Sequence, residues 1–352
     1  MYKVVFKGLI YPIIICCSSF ILVGCNVGST NSSSNTSATA TFVSTGAGAG
    51  SFRYSNSNDV FTSSNLPGTV TPPDGRSITC VANKCAIVGQ IYPDQPELTT
   101  MFYSSDNGIT WANSLLSSNL NKTYTFTGVS CVDNKCVAVG FDESSAVSSF
   151  SSTNNGQSWS LNNMNITGVI FNAVKCSSLG CLAVGEAGVV FYTEDLGTTW
   201  TQLVNNATTD NLRDVTCLAG PCMMVGDNGT ILTYDGTHFS LESDVLTNQD
   251  LYGLNCNNYG CVVVGESGTI LTLQIDGSAL AQLRSGTTSI LRSVACNLDS
   301  STCIAVGDNG IMLQSYRTSV TANMSWQPAV QSSTGVPLDP SSIVYGVASV
   351  ID

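Results

Sequence analysis

Twelve cysteines in a regular arrangement are the residues of this chain best placed to do chemistry. They fall as Cys80/Cys85, Cys131/Cys136, Cys176/Cys181, Cys217/Cys222, Cys256/Cys261 and Cys296/Cys303. Paired thiols serve either a metal or a disulfide. Structural zinc needs two short-spaced pairs converging on one ion. Here one pair recurs in each repeat of about 40–50 residues, which separates the pairs in space. Six disulfides within repeats are therefore expected, with no metal and no other cofactor. In each copy the two cysteines flank the turn between strands one and two, where residues facing each other across a hairpin can reach disulfide geometry. The only histidine, His238, argues against a His-rich metal site or a Ser-His-Asp hydrolase.

A second constellation appears when the repeats are aligned on their first cysteine. Four residues earlier they read Arg76, Thr127, Asn172, Arg213, Tyr252 and Arg292, and a cysteine-free copy near the C-terminus adds Tyr345. Three of the six arginines of an acidic chain share this one column. Arg and Tyr together suit carboxylate, sugar or peptide groups. Arg76, Arg213, Tyr252, Arg292 and Tyr345 are thus the candidate binding residues. The competing reading pairs each arginine with a nearby acid such as Asp227, Glu266 or Asp308.

The elements that must carry these residues are short strands. Each copy runs through a β-rich segment to the first cysteine, then a turn, the second cysteine, an apolar triplet and Gly. Gly-acid-x-Gly turns follow, as in Gly226-Asp227-Asn228-Gly229, where glycine suits a hairpin. Another strand comes next, and three copies then carry SSDNGITW (Ser104–Trp111), STNNGQSW (Ser152–Trp159) and TEDLGTTW (Thr193–Trp200), which look like Asp-box turns. Their tryptophans read as packing between strands. Strand-and-turn repeats of this period point to an all-β propeller. Ile343–Ser349 matches an inner strand without its blade, and Phe52–Phe61 matches a third strand without an inner one. These fragments predict a seventh blade assembled from both ends, its second strand unassigned. The cysteine turns and Asp-boxes then share one face of the disc. The Gly-acid turns and the Arg/Tyr column share the other.

The run Gly180–Leu203, GCLAVGEAGVVFYTEDLGTTWTQL, resembles the repeat of photosystem II stability/assembly factor-type propellers. The resemblance covers residues 51–352. It implies a seven-bladed, non-enzymatic binding or assembly module. The cysteine pairs depart from the family's repeat, as do blades four and five, where Tyr234-Asp235-Gly236 and Ile275-Asp276-Gly277 replace the Asp-box.

Residues 1–24 read as a signal peptide, with Lys3 and Lys7 before a largely apolar run from Leu9 to Val23. It ends Leu22-Val23-Gly24-Cys25, which looks like a bacterial lipobox and implies a lipid on Cys25. Asn26 is not the aspartate that retains many lipoproteins at the inner membrane, so the outer membrane is the preferred address. Residues 25–50 are rich in Ser, Thr, Asn and Gly and uncharged, which predicts a flexible tether. Residues 51–352 form the head, expected to be monomeric.

The formal charge is −12, and losing Lys3 and Lys7 with the signal leaves 10 basic against 24 acidic residues, or −14. Such a surface repels phosphates and excludes nucleic acid as a partner. The leading expectation is a lipid-anchored scaffold or assembly factor that binds another cell-envelope protein or a surface ligand. The alternatives are a glycan-binding adhesin module and a sialidase-like glycosidase, since Asp-boxes also occur in sialidases. The repeat-equivalent placement of the arginines argues against the enzyme.

Overall fold

In the computed structural model each cysteine repeat folds as one antiparallel sheet, and together they make an all-β propeller. The structure describes residues 41–350, apart from internal stretches of which 68–74, 93–98, 317–324 and 332–342 are the longest. The signal peptide 1–24, Cys25 and tether residues 26–40 lie outside the described residues.

Blade four shows the plan. Its inner strand Leu212–Cys217 pairs with Cys222–Gly226, then Ile231–Tyr234, then the outer strand Phe239–Leu241. The other inner strands are Ser77–Val81, Tyr124–Val132, Phe171–Ser177, Leu251–Asn257 and Leu291–Cys296. The apolar triplets of the second strands are buried on both faces. Met224 and Val225, Val263 and Val264, and Ala305 and Val306 are all at 0% exposure. A strand sandwiched between neighbouring blades has no polar face, which is why these segments read as continuous apolar runs.

All six disulfides form within repeats: Cys80–Cys85, Cys131–Cys136, Cys176–Cys181, Cys217–Cys222, Cys256–Cys261 and Cys296–Cys303. In each, the two cysteines stand directly opposite one another in the strand register, with Cα atoms 4.0–4.1 Å apart.

The second cysteine of five pairs is part of the core: Cys85, Cys136, Cys181, Cys261 and Cys303 are all buried, at 0–3% exposure. The reason is the strand that each one enters. It stands at the head of the apolar second strand, so it points between two sheets although the turn before it is exposed. Cys85 packs with Ile87 and Phe102, and Cys136 with Ala138 and Phe150. Cys181 lies with Ala183 and Phe191, Cys261 with Val263 and Leu273, and Cys303 with Ala305 and Leu313. Cys176 and Cys296 are buried as well. Blade four is the exception, since Cys217 and Cys222 are both half-buried. The sulfurs therefore act as small apolar core atoms that happen to be crosslinked, and not as accessible reactive groups.

One further sheet joins distant parts of the chain. It contains Ile343–Val350, Thr41–Ala47, Gly50–Ser55 and Val60–Ser64, with the short strand Val330–Gln331 at its edge. Thr41–Ala47 runs antiparallel to both Gly50–Ser55 and Ile343–Val350. Ser349 faces Phe42 in the register that the cysteine pairs occupy elsewhere. This corrects the tether boundary. Residues 41–47 are a strand with two paired edges, and Phe42 and Val43 are both fully buried. Low charge and small polar side chains suggested a linker. However, Thr41, Val43 and Thr45 are β-branched and suit a pleated strand that is covered on both sides.

The Gly-acid-x-Gly turns use their two glycines differently. The first is extended, with φ −164 at Gly226 and −176 at Gly307. A Cβ on Gly226 would sit 2.1 Å from the Asn211 carbonyl, and one on Gly307 would sit 1.9 Å from that of Ile290. Close approach of the inner strand, not a left-handed backbone, requires glycine there. The second glycine does have positive φ, 72 at Gly229 and 64 at Gly310. The residue before it is left-handed too, as at Asn228 and Asn309.

The Asp-box turns form as expected. In blade one, Ser104 Oγ donates to Asp106 Oδ1 at 2.8 Å and accepts the Gly108 N–H at 2.9 Å, and Asp106 Oδ1 accepts the Thr110 N–H at 2.9 Å. Asn83, in the cysteine turn, bonds Ser105 O through its side chain at 3.0 Å, which places the two turns on one face. The tryptophans pack as expected, Trp159 and Trp111 both being buried. Each turn also docks on the preceding sheet: a Cβ on Gly156 would meet Ala86 at 2.8 Å, and one on Gly108 would meet Val43 at 2.9 Å.

A mass map of a non-reduced digest is expected to show six links, each within one repeat. A link between repeats, or free thiols at any of the six pairs, would contradict this arrangement. Under mild reductant the native protein should lose Cys217–Cys222 first, because reduction needs access to sulfur. Closing a six-residue ring contributes roughly 2 kcal/mol in the loop-entropy model, so full reduction should lower unfolding stability by at most on the order of 10 kcal/mol.

Candidate binding site at the channel mouth

The inner strands surround a central channel enclosing about 450 Å³. Apart from Tyr124 and Thr125, which also pair with Ile91 and Gln90, the inner strands of the cysteine repeats have their strand partners on one side only, so the other edge faces the channel or the next blade. Every residue of the Arg/Tyr column lines this channel, and Ile343–Val350 contributes Tyr345 beside blades one and six.

Four of the five candidates form a continuous stack. The Arg213 guanidinium lies 5.8 Å from the Tyr252 ring centroid, and Arg292 lies 5.7 Å from the rings of both Tyr252 and Tyr345. Cations at this distance are attracted to a ring face. The same arginines also pair with acids of the Gly-acid turns. Arg213 Nε reaches Asp227 Oδ1 at 2.6 Å and its Nη2 reaches Oδ2 at 3.0 Å. Arg292 grips Asp308 in the same two-pronged way, with Nη2 to Oδ2 at 3.0 Å. Tyr252 Oη approaches Glu266 Oε1 at 3.5 Å. The two readings of the column therefore hold together: the arginines are locally neutralised, and their flat faces are fixed against tyrosine rings. Bidentate pairing sets the guanidinium plane, and side-chain exposures of 30% for Arg213 and 27% for Arg292 leave part of each group open.

Arg76 differs. The residue in the place of Asp227 and Asp308 is Gln90, whose side chain is engaged with Tyr92 and with Thr125. Arg76 Nε is buried without an acceptor among the described residues. At the remaining two positions Thr127 donates to Phe171 O at 2.7 Å and Asn172 to Leu212 O at 2.8 Å, lacing one blade to the next.

Two charged residues of the channel went unremarked in the sequence, Lys175 and Asp214. Asp214 Oδ1 accepts its neighbour Val215's N–H at 2.8 Å, and Oδ2 accepts that of Leu254, in blade five, at 2.8 Å. Burial pushes its carboxyl up to about 6, against the opposing pull of those N–H groups and of Lys175. Burial lowers the pKa of the Lys175 ammonium, with Asp214 opposing. Both side chains keep partial solvent exposure because they line the channel, yet protein surrounds them otherwise. The signal that would have found them is the column itself. Three residues before the first cysteine the repeats read Ser77, Gly128, Ala173, Asp214, Gly253 and Ser293, and one acid stands among small residues.

Solved structures share this architecture. One titled "YCF48 bound to D1 peptide" superposes with a TM-score of 0.55 and 18% identity, covering 75% of this chain and 82% of that one. In fold, this chain is similar to YCF48. YCF48 from Cyanidioschyzon merolae gives a TM-score of 0.52 at 14% identity, covering 72% and 84%. No protein-family model and no curated protein matches the chain. The similarity to YCF48 is one of three-dimensional fold.

Asp214 generates a pH prediction. Its folded pKa, about 6, lies above the unfolded value of 3.8, so the native state takes up this proton first on acidification. Its contribution to stability should therefore rise as pH falls from about 7 towards 4, by up to about 3 kcal/mol at 1.4 kcal/mol per pKa unit. The carboxyls held below their ordinary value, Asp106, Asp195 and Asp210 among them, act with the opposite sign, and their stabilisation is lost only below about pH 4. Denaturation midpoints of wild type and Asp214→Asn, compared between pH 7.5 and 4.5, should show the acid-side gain in wild type alone.

Proposed function

We propose that this chain is a lipid-anchored, extracytoplasmic propeller that binds another protein of the cell envelope, as scaffold or assembly factor, without catalysing a reaction. The observation that carries the reading is the Arg213–Tyr252–Arg292–Tyr345 stack at the channel mouth. Aromatic rings and arginines held rigid by their neighbours are the side chains that anchor protein interfaces, because little conformational entropy is lost when a partner arrives. The solved structure of YCF48 with a D1 peptide supports a peptide or protein as the partner class for a propeller of this shape. A sialidase-like site needs arginines free to grip a substrate carboxylate. Two of the three column arginines are committed to Asp227 and Asp308, which favours docking over glycoside chemistry.

The sheet that unites Thr41–Ala47 with Ile343–Val350 is read here as the seventh blade that closes the ring. Its support is the position of Ile343–Val350 beside the inner strands of blades one and six, and the docking of Gly108 against Val43. Closure covers strand edges that would otherwise template aggregation. The lipobox-like Leu22-Val23-Gly24-Cys25 and the oxidised cysteines support the envelope address, since disulfides persist in oxidising compartments.

Two experiments test the reading. Crosslinking in the native envelope should capture a protein partner, and the joint replacement Arg213→Gln/Arg292→Gln should abolish capture while near-ultraviolet circular dichroism stays unchanged. Undiminished capture would reject the stack as the docking surface. Cys25→Ser should release the head from the membrane fraction; retention would reject the anchor.

A further inference from the structure

Side chains tie neighbouring blades together along the channel wall. In three blades the side chain just before the first cysteine accepts a backbone N–H from the next blade. Thr79 Oγ1 takes that of Cys131 at 3.3 Å, Ser130 Oγ that of Cys176 at 2.9 Å, and Asn255 Oδ1 that of Cys296 at 3.2 Å. Blade three places Lys175 here, and an ammonium has no lone pair to offer. Lys175 lines the channel, and among the described residues no hydrogen bond or ion pair holds its Nζ. Asp214 acts on it through charge alone.

Its surroundings at that level are donors. The Thr79 and Ser130 hydroxyls each accept one N–H and keep a proton to give. Thr216 adds a third hydroxyl in blade four. Four consecutive blades thus line the channel with Thr79, Ser130, Lys175 and Thr216. The charge balance agrees. Arg213 and Arg292 are neutralised by Asp227 and Asp308, and Asp214 is the one acid among the lining residues, against Lys175 and Arg76. A chain with a net charge of −12 therefore encloses a positive channel. A channel of about 450 Å³ has the size of a small-molecule site.

We propose that the channel binds a small carboxylate, its head on the Lys175 ammonium and the flanking hydroxyls. The site lies inside the ring, so it stands independently of any protein docked on the outer face. A bound carboxylate supplies the acceptor that Lys175 lacks. It also offsets the desolvation that lowers the Lys175 pKa, so binding is coupled to proton uptake.

The test is calorimetric titration of the full chain in detergent with butyrate at pH 7, with inorganic phosphate as the comparison anion. One butyrate site is expected. Lys175→Met should weaken it by at least about tenfold and Lys175→Arg should retain most of it, tenfold being 1.4 kcal/mol. Phosphate should bind more weakly than butyrate, because Asp214 beside Lys175 opposes the extra negative charge that phosphate carries near pH 7. Circular dichroism and melting confirm that each variant is folded, and Lys175→Gln substitutes for the methionine variant should that one misfold. No butyrate binding by folded wild type up to about 10 mM, undiminished binding by the folded Lys175→Met or Lys175→Gln variant, or tighter binding of phosphate would each overturn the assignment.

Discussion

Backbone polarity at the inner edge is the constraint on which this structure depends. A ring of separate sheets leaves the innermost strand of each one with an unpaired row of N–H and C=O groups, and buried groups of that kind must find partners. The chain meets the requirement with side chains, not with another strand. Ser77, Thr79, Ser130, Asp214, Asn255 and Ser293 each reach across to accept an N–H of the following inner strand. Thr127 and Asn172 reach across to donate to carbonyls. These bonds hold neighbouring blades in register. They also explain why hydroxyl, amide and very small residues dominate the wall: the space between inner strands admits little else. A Cβ added to Gly128 would lie 2.9 Å from the Val174 nitrogen.

The same constraint gives the mouth of the channel its character. Where the column has Thr or Asn, the side chain spends its polarity on the next blade. Where it has Arg or Tyr, the side chain is too long to turn inward, and lies over its neighbour instead. The stack from Arg213 to Tyr345 thus follows from side-chain length on a curved wall. Asp227 and Asp308 then fix the guanidinium planes from the outside. Rigidity at this rim is a by-product of how the ring is held.

Much of this was legible in the sequence because repetition exposes it. Six cysteine pairs at nearly one spacing encode six local staples, and the Asp-box tryptophans of three blades mark the turn after the third strand. Which sulfurs are covered was not legible. Cys85, Cys136, Cys181, Cys261 and Cys303 sit beside exposed turns in sequence, and only the neighbouring sheet buries them. The pairing of Arg213 with Asp227 was one of two readings the column allowed. The cation–π stack on top of it depends on the lateral distance between blades, which the sequence does not carry. The strand Thr41–Ala47 was obscured for a different reason. Its Ser, Thr and Gly content is that of a linker, and only burial on both faces makes a strand of it. Lys175 and Asp214 were visible as departures from their columns but carried no motif. Their meaning comes from the enclosure around them, which no local spacing encodes.

The sheet without a disulfide has a consequence for the order of events in folding. Thr41 pairs with Val350, so the longest loop in the molecule closes there, whereas each cysteine hairpin closes within a few residues. Contacts of such high sequence separation form late and slowly. During vectorial synthesis the strand Thr41–Ala47 therefore waits, with one edge unpaired, until almost the entire chain has emerged. Local staples can be set one by one as each repeat appears. The strands Thr41–Ala47 and Ile343–Val350 pair last, in a sheet where nothing covalent holds them.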